Sequence, residues 1–180
     1  REARDPLGLR GPLGSISDVI DRMDAISAGL PAQDGVRAFN DMYLETTRQV
    51  GRAVADLVFS DAAFLDRLDV RFAELYFAAL DAHEAGHDHT PRCWSALFDA
   101  RESDDIHPLQ FALAGMNAHI SYDLPRALVS TVEEFGGDLD DDGVRGDFVA
   151  VNQVLAYTQP LIKNVLLTGR LAELDVSMGE

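Results

Sequence analysis

The sequence predicts an all-α fold, a single-domain bundle of about six or seven helices with proline-kinked long members. Three observations lead there. Apolar residues recur at three- and four-residue spacing along most of the chain. No segment shows the period-two alternation of a half-buried strand. Caps and breakers (Ser15, Leu30-Pro31, Asp34, Gly86, Thr90-Pro91, Pro108 and Gly136-Gly137) punctuate the helical pattern at helix-length intervals.

In chain order, residues 1–14 carry Pro6, Gly8, Gly11, Pro12 and Gly14 without a period. They read as a flexible arm ahead of one helical domain over 15–180. Residues 11–15 match the remnant a tag-removing protease leaves, but Leu7-Gly8-Leu9-Arg10 does not fit such a site, so they read as native. Ser15 or Ser17 caps a helix to about Ala28, with Val19, Ile20, Met23 and Ile26 on one side. Asp34 caps a long second helix carrying Val36, Phe39, Tyr43, Val50, Val54, Leu57 and Val58. Ser60-Asp61 opens a third, with Phe64, Leu65, Leu68, Phe72, Leu75, Tyr76 and Leu80, and Gly86 stops it. Thr90-Pro91 reads as a cap followed by proline at the first helical position, and that helix buries Trp94, Leu97 and Phe98. Pro108 opens the next helix, which Pro125 kinks or restarts and Gly136-Gly137 ends. A last helix from about Asp147 to Leu167 carries a kink at Pro160.

Composition narrows the function. A chain of 180 residues with 47% hydrophobic residues buries a full core as one domain. Its 15 Lys and Arg against 31 Asp and Glu give a formal charge of −16. That excludes nucleic acid and anionic membranes as partners, since both need a basic face. Neutral or cationic small molecules, metal ions and proteins remain. The single cysteine, Cys93, permits no intrachain disulfide and reads as a small core residue. No apolar run reaches the roughly 20 residues of a membrane helix, and no charged start with an apolar core marks a secretion signal. A cytoplasmic protein is the expectation.

The informative residues are polar ones where the periodicity calls for apolar ones. His119 follows Ala112, Gly115 and Met116 on a stripe of small apolar residues, and Asp123 lies one turn on, on the same face. Such a pair does one of three things. The carboxylate orients the imidazole for acid–base catalysis, or both ligate one divalent ion, zinc being the first choice, or the pair is a hydrogen-bonded core feature with Asp123 capping the helix after Pro125. Asn117 flanks the pair. Asn40, Asp69 and Asn152 are polar misfits on three further helical segments. Each alone is explained as a satisfied core group. Together they are candidates, with Tyr43 and Tyr76, for positioning a substrate inside the bundle. Phe39, Tyr43, Phe72, Tyr76 and Trp94 supply an apolar wall or simply the core.

Two louder motifs carry less. His83-Glu84-Ala85-Gly86-His87 spells the zinc-protease HExxH, but Gly86 and Thr90-Pro91 end the helix the motif requires. Asp138-Leu139-Asp140-Asp141-Asp142-Gly143 matches the first half of a calcium loop, but Val149 stands where a bidentate Glu is needed.

Several stretches carry a resemblance. They are Arg22-Met23-x-x-Ile26, Asp34-Gly35-x-x-x-Phe39-Asn40-x-x-Tyr43 and Leu68-Asp69-x-x-Phe72-Ala73-x-x-Tyr76-Phe77. Trp94-x-x-Leu97-Phe98-x-x-Arg101 and Gln110-Phe111-x-Leu113-Ala114-Gly115-Met116-Asn117-Ala118-His119-Ile120-x-x-Asp123-Leu124 complete the set. With these, the chain resembles an actinobacterial family catalogued only as a domain of unknown function. The resemblance implies a shared fold and transfers no activity. More weakly, Ala114-Gly115-x-x-x-His119-x-x-x-Asp123-Leu124-Pro125 is similar to the metal-binding helix of zinc-dependent phospholipases C, without counterparts for that family's other histidine ligands.

The expected function is a small-molecule enzyme with a His119–Asp123 centre in a cavity of the bundle. It is a hydrolase if a metal is bound, and a cyclase or isomerase of bacterial secondary metabolism if not. The alternative is a non-catalytic binding or interaction module, with Val151, Leu155, Leu161 and Val165 forming a homodimer or partner surface.

Overall fold

The computed structural model describes residues 13–56 and 62–136. Six α-helices and one π turn lie among them, with no strand: α1 (Ile16–Gly29), α2 (Gly35–Asp56), α3 (Ala62–Glu84), α4 (Arg92–Ala100), α5 (Pro108–Ala118), the π turn (His119–Asp123) and α6 (Leu124–Glu134). The all-α class holds. Helix α5, the π turn and α6 run on without a break, so the described residues form five helical rods, slightly fewer than the sequence suggested for the whole chain. The expected last helix, its Asn152, the acidic stretch 138–143 and most of the N-terminal arm lie outside the described residues.

The helix ends follow local chemistry. Ser15 Oγ accepts the Asp18 amide, and Asp18 returns the favour to the Gly14 amide at 3.0 Å. The Ser15 hydroxyl also donates to Asp18 Oδ2 at 2.9 Å, and that bond, with the one from the Gly14 amide, holds the Asp18 carboxyl below its ordinary range. Asp34 Oδ1 accepts the Val36 amide at 2.8 Å, and its Oδ2 takes the Arg101 guanidinium at 2.7 Å. The Gly35 amide in turn donates to the Arg101 carbonyl, which ties the end of α4 to the start of α2. Gly86 and Gly136 adopt φ of 71° and 72°, the left-handed turn that lets a helix end on glycine.

Two expectations about α4 need correction. Pro91 occupies the cap position itself, and the Thr90 hydroxyl donates back to the His87 carbonyl instead of capping. Cys93 is exposed, because the first turn of α4 turns Trp94 inward and its neighbour outward. His107, unremarked in the sequence, caps α5: its Nδ1 accepts the Leu109 amide while Gln110 Oε1 accepts the His107 amide.

Two apolar clusters make the core. The larger one joins α1, α2, α4, α5 and the C-terminal half of α3, around Phe39, Tyr76, Phe77, Trp94, Phe98 and Phe111. The smaller one packs Phe64, Leu65 and Leu68 of α3 on Ala127 and Val132 of α6. Its rim is closed by Arg67 and Arg71 on Glu134. Helix α2 lies close along α5 because two glycines leave room. A Cβ on Gly35 would fall 2.4 Å from the Phe111 ring, and one on Gly115 would fall 2.4 Å from the Phe39 ring and 2.9 Å from Phe39 Cβ. Phe39 is 1% exposed and has nowhere to retreat. Gly115→Ala is therefore expected to destabilise the fold by about 1–3 kcal/mol through overpacking, against its gain in helix propensity. Urea denaturation checks this; an unchanged midpoint would mean that α2 and α5 are not packed this closely.

Candidate functional site

The seam between the two clusters holds His119. Its position depends on Pro125. In an α-helix the Pro125 ring would clash with the Ser121 carbonyl, and the missing N–H would break a backbone bond. The chain relaxes into a π turn, in which the Leu124 amide reaches the His119 carbonyl. This turn sets His119 and Asp123 side by side, both buried, with Nδ1 to Oδ2 at 2.8 Å. The same Oδ2 accepts the Trp94 indole N–H at 3.0 Å. One carboxylate oxygen thus joins α4 to the π turn.

Rings enclose the imidazole. Phe72 stacks flat on it, with centroids 3.5 Å apart and planes 6° apart. Tyr43 meets it at 4.6 Å, with Trp94 at 5.9 Å, Phe39 at 6.0 Å and Tyr76 at 6.3 Å. All five aromatics considered as a wall in the sequence meet at this one histidine. The surroundings offer no solvation for charge, so burial pushes the His119 pKa below its ordinary value, and the Asp123 hydrogen bond and charge pull against that shift. The neutral ring carries its proton on Nδ1, facing the carboxylate. That leaves Nε2 a bare acceptor, buried and without a hydrogen-bond partner among the described residues.

A family model of unknown function, DUF5995, matches residues 16–178, nearly the whole chain. The chain belongs to the DUF5995 family. A comparison with curated proteins and another with solved structures gave no match. Family membership brings no activity with it, so the chemistry of this DUF5995 protein rests on its own residues.

The other candidate residues part company here. Asn40 is fully buried but spoken for. Its Nδ2 donates to the Met23 carbonyl and to Ser27 Oγ, each at 2.8 Å, and its Oδ1 accepts the Tyr76 hydroxyl at 3.3 Å. It clamps α1 and α3 onto α2 rather than facing His119. Tyr76 shares that clamp while its ring faces the histidine. Burial, the largest cause, raises its phenol pKa far above the usual value. Asn117 is exposed and accepts from Ser121 Oγ, on the side of the helix away from His119. Asn152 lies outside the described residues. Asp69 is half-buried on α3, one turn before Phe72. Burial, then the nearby Asp66 charge, pushes its carboxyl up to about 7.

His119 and Asp123 are not turned toward one shared metal ion. Nδ1 and Oδ2 face each other, Oδ2 also serves Trp94, and no group of three or more His, Cys, Asp or Glu among the described residues is placed to hold a cation. The HExxH motif does not form a site either. Helix α3 ends at Glu84, and His83 Nε2 is engaged by Asp99 at 2.9 Å. His87 has left the helix and lies beside His89. Cys93 is no better a nucleophile, since burial and the Asp123 charge raise its thiol pKa. No helix among the described residues is long and apolar enough to cross a membrane.

His119 and Asp69 act on stability with opposite signs. The depressed pKa of His119 means that the unfolded chain binds the extra proton below about 6.5, so its contribution is lost as pH falls. The raised pKa of Asp69 means that the folded chain keeps a proton the unfolded chain has released. Its contribution is present in acid and lost as pH rises through about 7. Asp69→Asn removes only the second effect. The stability of the variant relative to the parent is expected to grow between about pH 5 and pH 8. Urea midpoints for both proteins at the two pH values check this, and a constant difference would place Asp69 in an ordinary solvated setting.

Proposed function

We propose that this protein is a metal-independent acid–base enzyme acting on a small organic molecule, with His119 as the general base and Asp123 as the carboxylate that orients it. The observation that carries the reading is the bare, buried Nε2 of His119. Leaving a buried acceptor without a donor costs about 1–3 kcal/mol, and folded proteins rarely leave one so unless it has a use. A neutral imidazole held by a carboxylate at Nδ1 has the form a general base needs. Its lowered pKa keeps the ring unprotonated at neutral pH, ready to accept a proton. The surrounding rings suit an apolar or aromatic substrate. The charge of −16 favours a neutral or cationic one. Proton transfer of this kind supports isomerisation or cyclisation.

A second reading has its own support. Asp123 also accepts the Trp94 indole N–H, so the pair serves equally as a joint that fixes α4 against the π turn. In that reading the protein is a binding or interaction module and Nε2 is merely enclosed.

An affinity reagent separates the two. p-Bromophenacyl bromide carries an aromatic ring that suits the aromatic surroundings of His119. A histidine nitrogen attacks its CH2 carbon and displaces bromide, and the Nδ1 proton stays on Asp123's side. In the folded protein, His119 is expected to be alkylated at Nε2 in one-to-one stoichiometry, more slowly in acid as the ring protonates, with peptide mass mapping to identify the site. A His119 that reacts only after unfolding would reject the enzyme reading and leave the joint.

A further inference from the structure

Phe72 is 3.5 Å from the His119 ring with planes 6° apart, so it lies flat over one face of the imidazole. Tyr43 is 4.6 Å from the imidazole and 6.0 Å from Phe72. The three separations form a triangle with nearly a right angle at the imidazole. Tyr43 therefore lies beside the imidazole, at its edge, and not over a face. A nitrogen lone pair of this ring lies in the ring plane and points out through that edge. Asp123 takes the Nδ1 part of the edge, and the Cγ part carries the main chain. Tyr43 meets the remaining stretch, which holds Nε2. The rings also differ in how they are held. Trp94 is pinned by its indole bond to Asp123, Tyr76 by its hydroxyl bond to Asn40, and Phe39 by its contact with Gly115. All three are at most 1% exposed. Tyr43 and Phe72 are half-buried and reach the surface. The Tyr43 hydroxyl has no hydrogen-bond partner among the described residues, so turning this ring outward breaks no such bond there.

We infer that Tyr43 is the gate to His119, and that the substrate carries a single flat aromatic ring that takes the seat of the Tyr43 ring when the gate swings out. The inference rests on the acid–base reading above and adds to it the way in and the substrate class. The seat is defined by what Tyr43 touches. Phe39 stacks on it, with centroids 5.7 Å and planes 28° apart, and Phe72 meets it edge-on. Phe39 has no room to yield behind it, because Gly115 lies against its ring. The seat is thus one six-membered ring deep, and it lies beside the imidazole edge. A substrate ring placed there stacks on Phe39 as Tyr43 does. It brings a proton attached next to that ring up to Nε2. Nε2 accepts the proton, and the bonding pair stays on the substrate atom that loses it. The imidazolium then returns the proton to the substrate or to solvent. Exchange of one ring for another keeps the imidazole enclosed during the transfer, the service a closing side chain performs in an enzyme.

The rate of His119 alkylation by p-bromophenacyl bromide reads the gate in the full chain, under conditions where every variant is folded. Tyr43→Ala removes the gate and is expected to speed the reaction by about tenfold or more. Val132→Ala loosens the smaller core cluster without touching the seat, and is expected to stay within about twofold of the parent. Added phenol, a stand-in for the missing ring, is expected to refill the seat in Tyr43→Ala and to slow its alkylation by about threefold or more, whereas cyclohexanol, which is not flat, leaves it unchanged. Equal acceleration in Tyr43→Ala and Val132→Ala would mean that the reagent enters by local unfolding, and would overturn the gate. A parent that reacts at His119 with no acceleration in Tyr43→Ala would put the entrance elsewhere, and would overturn the gate while leaving His119 as the base. Equal slowing by phenol and cyclohexanol, or by neither, would overturn the flat-ring seat. No reaction at His119 in the folded parent would overturn the acid–base reading and this inference with it.

Discussion

Asp123 Oδ2 accepts two buried hydrogen bonds, one from the Trp94 indole and one from the His119 imidazole. The arrangement of the site depends on that shared oxygen. It links α4 to the π turn, orients the imidazole and settles which nitrogen carries the proton. With the residue 1% exposed, the carboxylate has little water to turn to, and both donors are needed to offset the desolvation of its charge. Removing either donor would leave an oxygen underserved, and removing the carboxylate would free the ring to turn.

The backbone makes the arrangement possible. Pro125 cannot continue an α-helix across its preceding turn, and the π turn that results places two side chains four residues apart within hydrogen-bond reach. Gly115, one turn earlier, draws the Phe39 ring up against the same helix, and Gly35 does so for Phe111. Close approach of α2 then brings Tyr43 to the imidazole, and Phe72 of α3 closes its face. Helix packing and site chemistry are therefore one problem in this chain. The histidine is held by rings from three helices and by a carboxylate from its own.

Much of this was legible in the sequence. The caps at Ser15 and Asp34 and the glycine stops at Gly86 and Gly136 were readable because their determinants are local. The His119–Asp123 pair was readable because helical periodicity puts both on an otherwise apolar stripe. Asn40 misled, because burial of a polar group says only that it has partners. Here the partners are a backbone carbonyl on α1 and a hydroxyl on α3, both distant in sequence. Asn117 misled differently: two positions from His119 on a helix is the opposite side. Trp94 read as apolar wall or core, although a buried indole N–H usually finds an acceptor, and that need was the available clue to Asp123. The stacking of Phe72 on His119 left no trace in the sequence, because it depends on how two helices cross.

The central claim is that folded His119 is a neutral imidazole, protonated on Nδ1 toward Asp123, with Nε2 a bare acceptor. Long-range proton–nitrogen correlation spectra of histidine-labelled protein at neutral pH read this directly, with His119→Gln identifying the resonance. We expect the Nδ1-protonated tautomer, persisting to a lower pH than the surface histidines. An imidazolium at neutral pH, or a proton on Nε2, would contradict it.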